Sequence, residues 1–250
     1  MSVRWTSEVE RDGLVAFRVG RDGDRLVAEW SNVARFSCAH DGSAPEWLAS
    51  EGADPRTIEK LRANAIPALV GHLRGAVTLH AAAVVIDGVA IACTGPSGTG
   101  KSTAVRRLVE DERCAFVSDD LVTIAPGPGV NVTPSAELCW VDDDGSRRPA
   151  EPARRATRPA PLVALVELRF HDAAPTLEAL SGASALAVAS SALVRFVVDE
   201  PAIHVRDLDR LTAIVQSLRV FRWSRPRNLA KLDEVVAMLD EVVEGARRDR

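Results

Sequence analysis

Residues 95–103 read Gly-Pro-Ser-Gly-Thr-Gly-Lys-Ser-Thr, and no other stretch constrains the fold as strongly. Gly95, Gly100, Lys101 and Ser102 fill every fixed position of the phosphate-loop pattern G-x-x-x-x-G-K-[ST]. An apolar run, 89–94, leads in, and a helix-forming run, 104–110, leads out. Such a loop works only between a strand and a helix. Glycines let the backbone curl until several N–H groups point the same way, and the following helix adds its positive end. The chain is therefore expected to be α/β, with Gly95, Pro96, Ser97, Gly98, Thr99, Gly100, Lys101, Ser102 and Thr103 around the phosphates of a nucleoside triphosphate. Lys101 would reach the β- and γ-phosphates, and Ser102 would offer its hydroxyl to Mg²⁺.

The remaining composition narrows the partners. At 250 residues the chain is long enough for one domain with an appendage. A net charge of −4 offers no attraction to nucleic acid or to an anionic membrane surface. No apolar run approaches the roughly 20 residues a membrane span needs, and the first 20 residues mix charges with apolar side chains. A cytoplasmic protein is expected. The four cysteines, Cys38, Cys93, Cys114 and Cys139, are widely spaced with no C-x-x-C pair, which suits reduced thiols better than a metal site.

Two regions are expected. Residues 1–75 read as a small β-meander, with strands at 14–19, 25–30 and 33–38, followed by a loop and a helix over 55–73. Asp22-Gly23 marks a hairpin, and Asp54 before Pro55 is a helix cap with proline at the first position. Residues 76–250 read as the nucleotide core. Strands at 77–86 and 89–94 are joined by Asp87-Gly88, and strands follow the loop at 114–117, 121–124, 130–132 and 138–141. Residues 142–161 carry Arg147, Arg148, Arg154, Arg155 and Arg158 among four prolines, which predicts a flexible linker or basic lid. Beyond them a strand is expected at 162–170, helices at 183–194 and 208–218, a strand at 220–223 and a closing helix at 230–243.

The chemistry sharpens after the loop. The apolar run Phe116-Val117 ends in Ser118-Asp119-Asp120, where a strand-tip carboxylate can hold Mg²⁺ beside the loop hydroxyl. Its neighbour can act as a base toward an attacking water or hydroxyl. Asp119 is assigned to the metal and Asp120 to the base, although these residues alone leave the order open. His80, in Leu79-His80-Ala81-Ala82-Ala83, sits on a strand expected to run antiparallel to the one feeding the loop. It is therefore a candidate for the phosphate end of the site.

Taken together, Leu79-His80-Ala81-Ala82-Ala83, Asp87-Gly88, the loop 95–102 and Ser118-Asp119-Asp120 resemble the catalytic core of HPr kinase/phosphorylase. The same histidine, phosphate loop and paired aspartates recur in ATP-dependent phosphoenolpyruvate carboxykinase. The chain is most similar to compact HPr-kinase-like proteins, some of which phosphorylate a serine in precursors of modified peptides such as lasso peptides. The resemblance implies a P-loop kinase core of the HPr-kinase/carboxykinase type, with a small β-rich N-terminal segment. It implies a Mg-ATP-dependent serine/threonine kinase with ATP and Mg²⁺ as cofactors and a peptide or small protein as acceptor, and it leaves a homo-oligomer open. His80, Lys101 and Asp120 would be catalytic, and Ser102 and Asp119 would hold the metal. Arg225 ranks ahead of Arg158 and Arg227 as a charge-neutralising arginine. A small-molecule kinase for an amino acid or sugar, and a nucleotide-dependent binding module, are the alternatives.

Overall fold

The computed structural model describes residues 3–135, 139–143, 146–196, 200–227, 237 and 239–245. Two compact units emerge, one of 1–76 with 195–208 and one of 77–194 with 209–250.

The first unit contains a five-stranded antiparallel meander: β1 (Arg4–Arg11), β2 (Leu14–Asp22), β3 (Arg25–Trp30), β4 (Ala34–Cys38) and β5 (Glu46–Ala49), in that order. The helix expected over 55–73 forms as α1 (Pro55–Lys60), a π-helical turn (Leu61–Ala65) and α2 (Ile66–Leu73). Asp54 caps it as predicted, accepting from the Arg56 and Thr57 amides at 3.3 and 3.1 Å. Strands β1 and β5, absent from the sequence reading, are the two edges of the sheet.

In this unit His72 on α2 is 1 % exposed, and its Nε2 lies 3.7 Å from Asp207 Oδ2. Arg206 donates to the Asp207 carboxylate at 2.9 Å and to the His72 carbonyl at 2.9 Å. Burial pulls the His72 pKa below its ordinary value, with the Asp207 carboxylate opposing and Arg206 and His204 reinforcing. The unfolded chain therefore takes up a proton at about pH 6.5, before the folded unit does. His72 thus contributes stability that is complete above that pH and is lost as pH falls through its folded value. The melting temperature is expected to fall between pH 7 and pH 5, and His72→Gln should flatten that slope in pH-dependent calorimetry.

The second unit is built on a sheet of β6 (Val77–Ile86), β7 (Val89–Thr94), β8 (Cys114–Ser118), β9 (Leu121–Ile124), β10 (Asn131–Thr133), a small separate hairpin of β11 (Cys139–Asp143) and β12 (Ser146–Ala150), then β13 (Ala160–Phe170), β14 (Thr176–Leu180) and β15 (Arg219–Arg225). The main sheet runs β10-β9-β6-β7-β13-β15-β14, with β8 also on β6. Strands β7, β13 and β15 are mutually parallel, while β6 is antiparallel to β7. Asp87 and Gly88 turn β6 into β7 with φ of +49° and +87°, the paired positive values of a tight hairpin turn.

Helices cover both faces of this mixed sheet, whose central strands β7, β13 and β15 are buried on both sides. On one face α3 (Lys101–Leu108) packs Ala104, Val105 and Leu108 onto Val84, Ile91, Cys93, Phe116 and Val166, joined by Leu239, Val242 and Val243. On the other, α4 (Gly182–Ala192) and the second half of α5 (Pro201–Gln216) cover Leu79, Ala81, Ala92 and Leu165. Phe116, 1 % exposed, belongs to the first cluster. Phe116→Ala should cost about 3–5 kcal/mol through lost contacts and the cavity left behind, read as a lowered urea midpoint.

Two expectations need correction. Helix α5 begins at Pro201, not near residue 208. Its first half lacks the apolar stripe that marks a helix, because its buried positions include Asp207. In the segment 142–161, expected as a flexible loop, the described residues include paired strands. Its first part pairs as β11–β12, from Cys139↔Ala150 to Asp143↔Ser146. Arg154 then donates to the carbonyls of Asp111 at 2.6 Å, Val109 at 3.1 Å and Cys114 at 3.2 Å. The Val109 and Asp111 carbonyls lie just beyond α3, where helix ends leave acceptors unsatisfied and a cation is favoured, and Cys114 begins β8. Of the closing helix expected over 230–243, residues 230–236 and 238 lie outside the described residues, while 237 and 239–245 are helical.

Candidate active site

Ligands of open α/β sheets bind beyond the carboxyl ends of the parallel strands, and the candidate residues gather there. Strand β7 ends at Thr94 and hands over to Gly95, at φ +133°. A Cβ on Gly95 would stand 2.7 Å from the Leu168 carbonyl, so the close passage of the loop over β13 demands glycine. Thr99 closes the turn, its amide and hydroxyl donating to Pro96 O at 3.3 and 2.8 Å. Gly100, left-handed at φ +85°, caps α3, and Ala104 N returns to its carbonyl at 2.9 Å.

Lys101, the first helical residue, is 7 % exposed and donates from Nζ to Gly95 O at 2.8 Å and Pro96 O at 3.2 Å. Its ammonium therefore stands inside the curl of the loop. Ser102, one residue on, donates from Oγ to Asp119 Oδ1 at 2.8 Å. Asp119 is 2 % exposed at the tip of β8. A hydroxyl and a buried carboxylate oxygen in contact are the kind of hard donor pair that Mg²⁺ takes from protein, the remaining ligands being water and phosphate. The residues fit the cation.

Asp120 has φ +76°, a left-handed conformation uncommon outside glycine and tolerated best by Asp and Asn. Its carbonyl accepts from Ala81 N at 3.2 Å, and the neighbouring His80 carbonyl accepts from Thr94 Oγ1 at 3.0 Å. Strand β6 thus ties the aspartate turn on one side to the start of the phosphate loop on the other. His80 lies between them and is exposed. Loop, aspartate pair and histidine, up to 40 residues apart in sequence, meet at one end of the sheet.

The structure adds a residue that the sequence reading did not single out. Glu167 on β13 stands at the level of Thr94 on β7 and Arg222 on β15. It accepts from Arg222 Nε at 2.7 Å and Arg169 Nη2 at 2.9 Å. Burial pushes its carboxyl up, but these two hydrogen bonds outweigh that and leave it below the usual carboxylate range. The signal in the sequence was a carboxylate embedded in an otherwise apolar strand. Cys93, beneath the loop, is an inert thiol: burial pushes it up to about 12 despite the nearby Arg225 and Lys101.

Arg225 and Arg227, both named from sequence, differ in placement. Arg227 is exposed, as is Arg158. Arg225 ends β15 and is 4 % exposed.

No protein-family model and no curated protein sequence matches this chain. Among solved structures, the HPr(Ser) kinase/phosphatase from Coxiella burnetii aligns with 69 % of this chain and 91 % of its own, at 14 % identity and a TM-score of 0.39. At that score the likeness carries no weight for function. The described residues form a mixed α/β fold around a sheet core, and none of their helices is long and apolar enough to cross a membrane.

Proposed function

We propose that the second unit is a Mg-ATP-dependent kinase that phosphorylates a serine or threonine hydroxyl on a peptide or small protein. The observation that carries this reading is the convergence just described. Ser102 Oγ lies 2.8 Å from Asp119, and β6 holds His80 between the phosphate loop and Asp120. Mg-ATP would supply the transferable phosphoryl group and the cation that neutralises its charge. The loop N–H groups and Lys101 bind and orient phosphate oxygens. Ser102 and Asp119 hold the metal. Asp120 accepts the proton of the incoming hydroxyl at a carboxylate oxygen. His80 stands by to hydrogen-bond the phosphoryl group or the acceptor. The motif resemblance over 79–120 supports a hydroxyl acceptor over water, and it alone supports a peptide over a metabolite.

The test is transfer from γ-labelled ATP with Mg²⁺ to a serine/threonine peptide library and, separately, to a pool of small hydroxyl metabolites. Label on peptide hydroxyls, lost in Lys101→Ala and Asp120→Asn, is the expected result. Label confined to the metabolite pool would move the reading to a small-molecule kinase. Tight ATP binding without label in either would favour a nucleotide-gated binding module.

A further inference from the structure

We propose that Arg225 is a positioning residue that holds the phosphate loop in its binding shape from behind and adds charge there, without touching the phosphoryl group. This deepens the proposed function and rests on its reading of 95–103 as a phosphate site.

The geometry supports the assignment at three points. First, Nη2 of Arg225 donates to Thr99 O at 3.2 Å, inside the loop itself. Second, the guanidinium packs directly against Gly100, since a Cβ there would stand 2.6 Å from Nη2. A side chain at residue 100 would push the guanidinium from this position, so the glycine leaves the space in which Arg225 sits. Third, the guanidinium is held by aromatic rings, with its central carbon 5.0 Å from the Phe170 ring and 5.1 Å from the Trp223 ring. Such cation–π contacts fix a planar cation without a carboxylate.

Charge makes the same point. Arg225 is 4 % exposed, forms no ion pair among the described residues, and leaves its Nε without a hydrogen-bond partner. A buried cation so poorly compensated is unfavourable in the isolated protein. A polyphosphate on the other side of the loop would supply the missing negative field at short range, through a low-dielectric layer that screens weakly. The same burial keeps the guanidinium from reaching the transferring group unless it leaves its aromatic seat.

The experiment uses the full chain with Arg225→Met, which keeps the stem and loses the charge and the fork, and Arg225→Lys, which keeps the charge alone. Amide exchange is followed by NMR at Thr99 and Ala104, whose bonds to Pro96 O and Gly100 O depend on the loop's shape. Affinity for inorganic tripolyphosphate and for Mg-ATP is followed by calorimetry. In Arg225→Met, exchange at these two amides should rise at least about tenfold, with amides of β7 and β13 unchanged, and tripolyphosphate affinity should fall by about tenfold or more. Lysine should restore part of the affinity and little of the protection. Unchanged exchange at Thr99 and Ala104 in a folded variant would overturn the proposal. Should Arg225→Met fail to fold, Arg225→Lys decides by the same amides. A wild-type chain that binds neither tripolyphosphate nor ATP would instead sink the proposed function, and the exchange data would still show whether Arg225 shapes the loop.

Discussion

Lys101→Met is expected to weaken Mg-ATP binding by about 10²–10³-fold and to remove phosphate transfer, while the protein stays folded. The substitution keeps the unbranched stem, which is buried at the start of α3, and removes only the ammonium. That group now donates to two loop carbonyls, Gly95 O and Pro96 O. Losing these bonds is offset in part by no longer burying the ammonium of a residue that is 7 % exposed, so the fold should persist. Toward phosphate the balance differs. Hydrogen bonds from an ammonium to an anionic oxygen contribute about 1.5–3 kcal/mol each, and two of them account for the expected loss of affinity. Calorimetric titration with Mg-ATP beside a melting curve separates the two effects. An unchanged dissociation constant in a folded variant would remove the loop from the site.

The parts of the site that were legible from sequence are those set by local chemistry. The backbone passage at Gly95 demands glycine, and the left-handed cap at Gly100 favours it. Asp87-Gly88 makes its turn, and Asp54 its cap, from neighbours in the chain. What stayed hidden depends on distant partners. Strand β1 reads Arg-Trp-Thr-Ser-Glu-Val-Glu-Arg, and most of it is half-buried or exposed, so no apolar alternation marks it. Its one local signal was Asp12-Gly13, both at positive φ, which is a hairpin turn into β2. Strands β5 and β14 are likewise edges. Arg154 finds its carbonyls some 40 residues earlier, and an arginine among prolines looks solvated until its acceptors are known. Arg225 posed the same difficulty. Its type and its place before a proline suggested a reaching cation, and only the packing of Phe170, Trp223 and Gly100 around it shows it buried. The meeting of His80 with Asp120 came from strand order: β6 has to pair with β7 and β9 at once.

Asp120→Asn is expected to lower the rate of transfer by about 10²–10⁴-fold, the usual contribution of a general base, while Mg-ATP binds within a few-fold of wild type. The backbone permits so clean a test. Asn is isosteric with Asp and tolerates φ of +76° nearly as well, so the turn that carries residue 120 should persist, with its carbonyl still accepting from Ala81 N. Asp119→Asn should behave differently. Asp119 is buried against Ser102 Oγ, and an amide there offers the cation a neutral oxygen in place of an anionic one. Nucleotide affinity should then become insensitive to Mg²⁺ concentration, and transfer should fall as a consequence. Measuring rate at saturating Mg-ATP and affinity as a function of Mg²⁺ for both variants assigns the pair. If Asp120→Asn instead loses Mg²⁺-dependent affinity and Asp119→Asn loses rate alone, the two carboxylates exchange roles. If both keep full transfer, base catalysis by this pair is wrong, and the exposed His80, on the strand that ties the loop to the aspartate turn, becomes the side chain to test for the acceptor's proton.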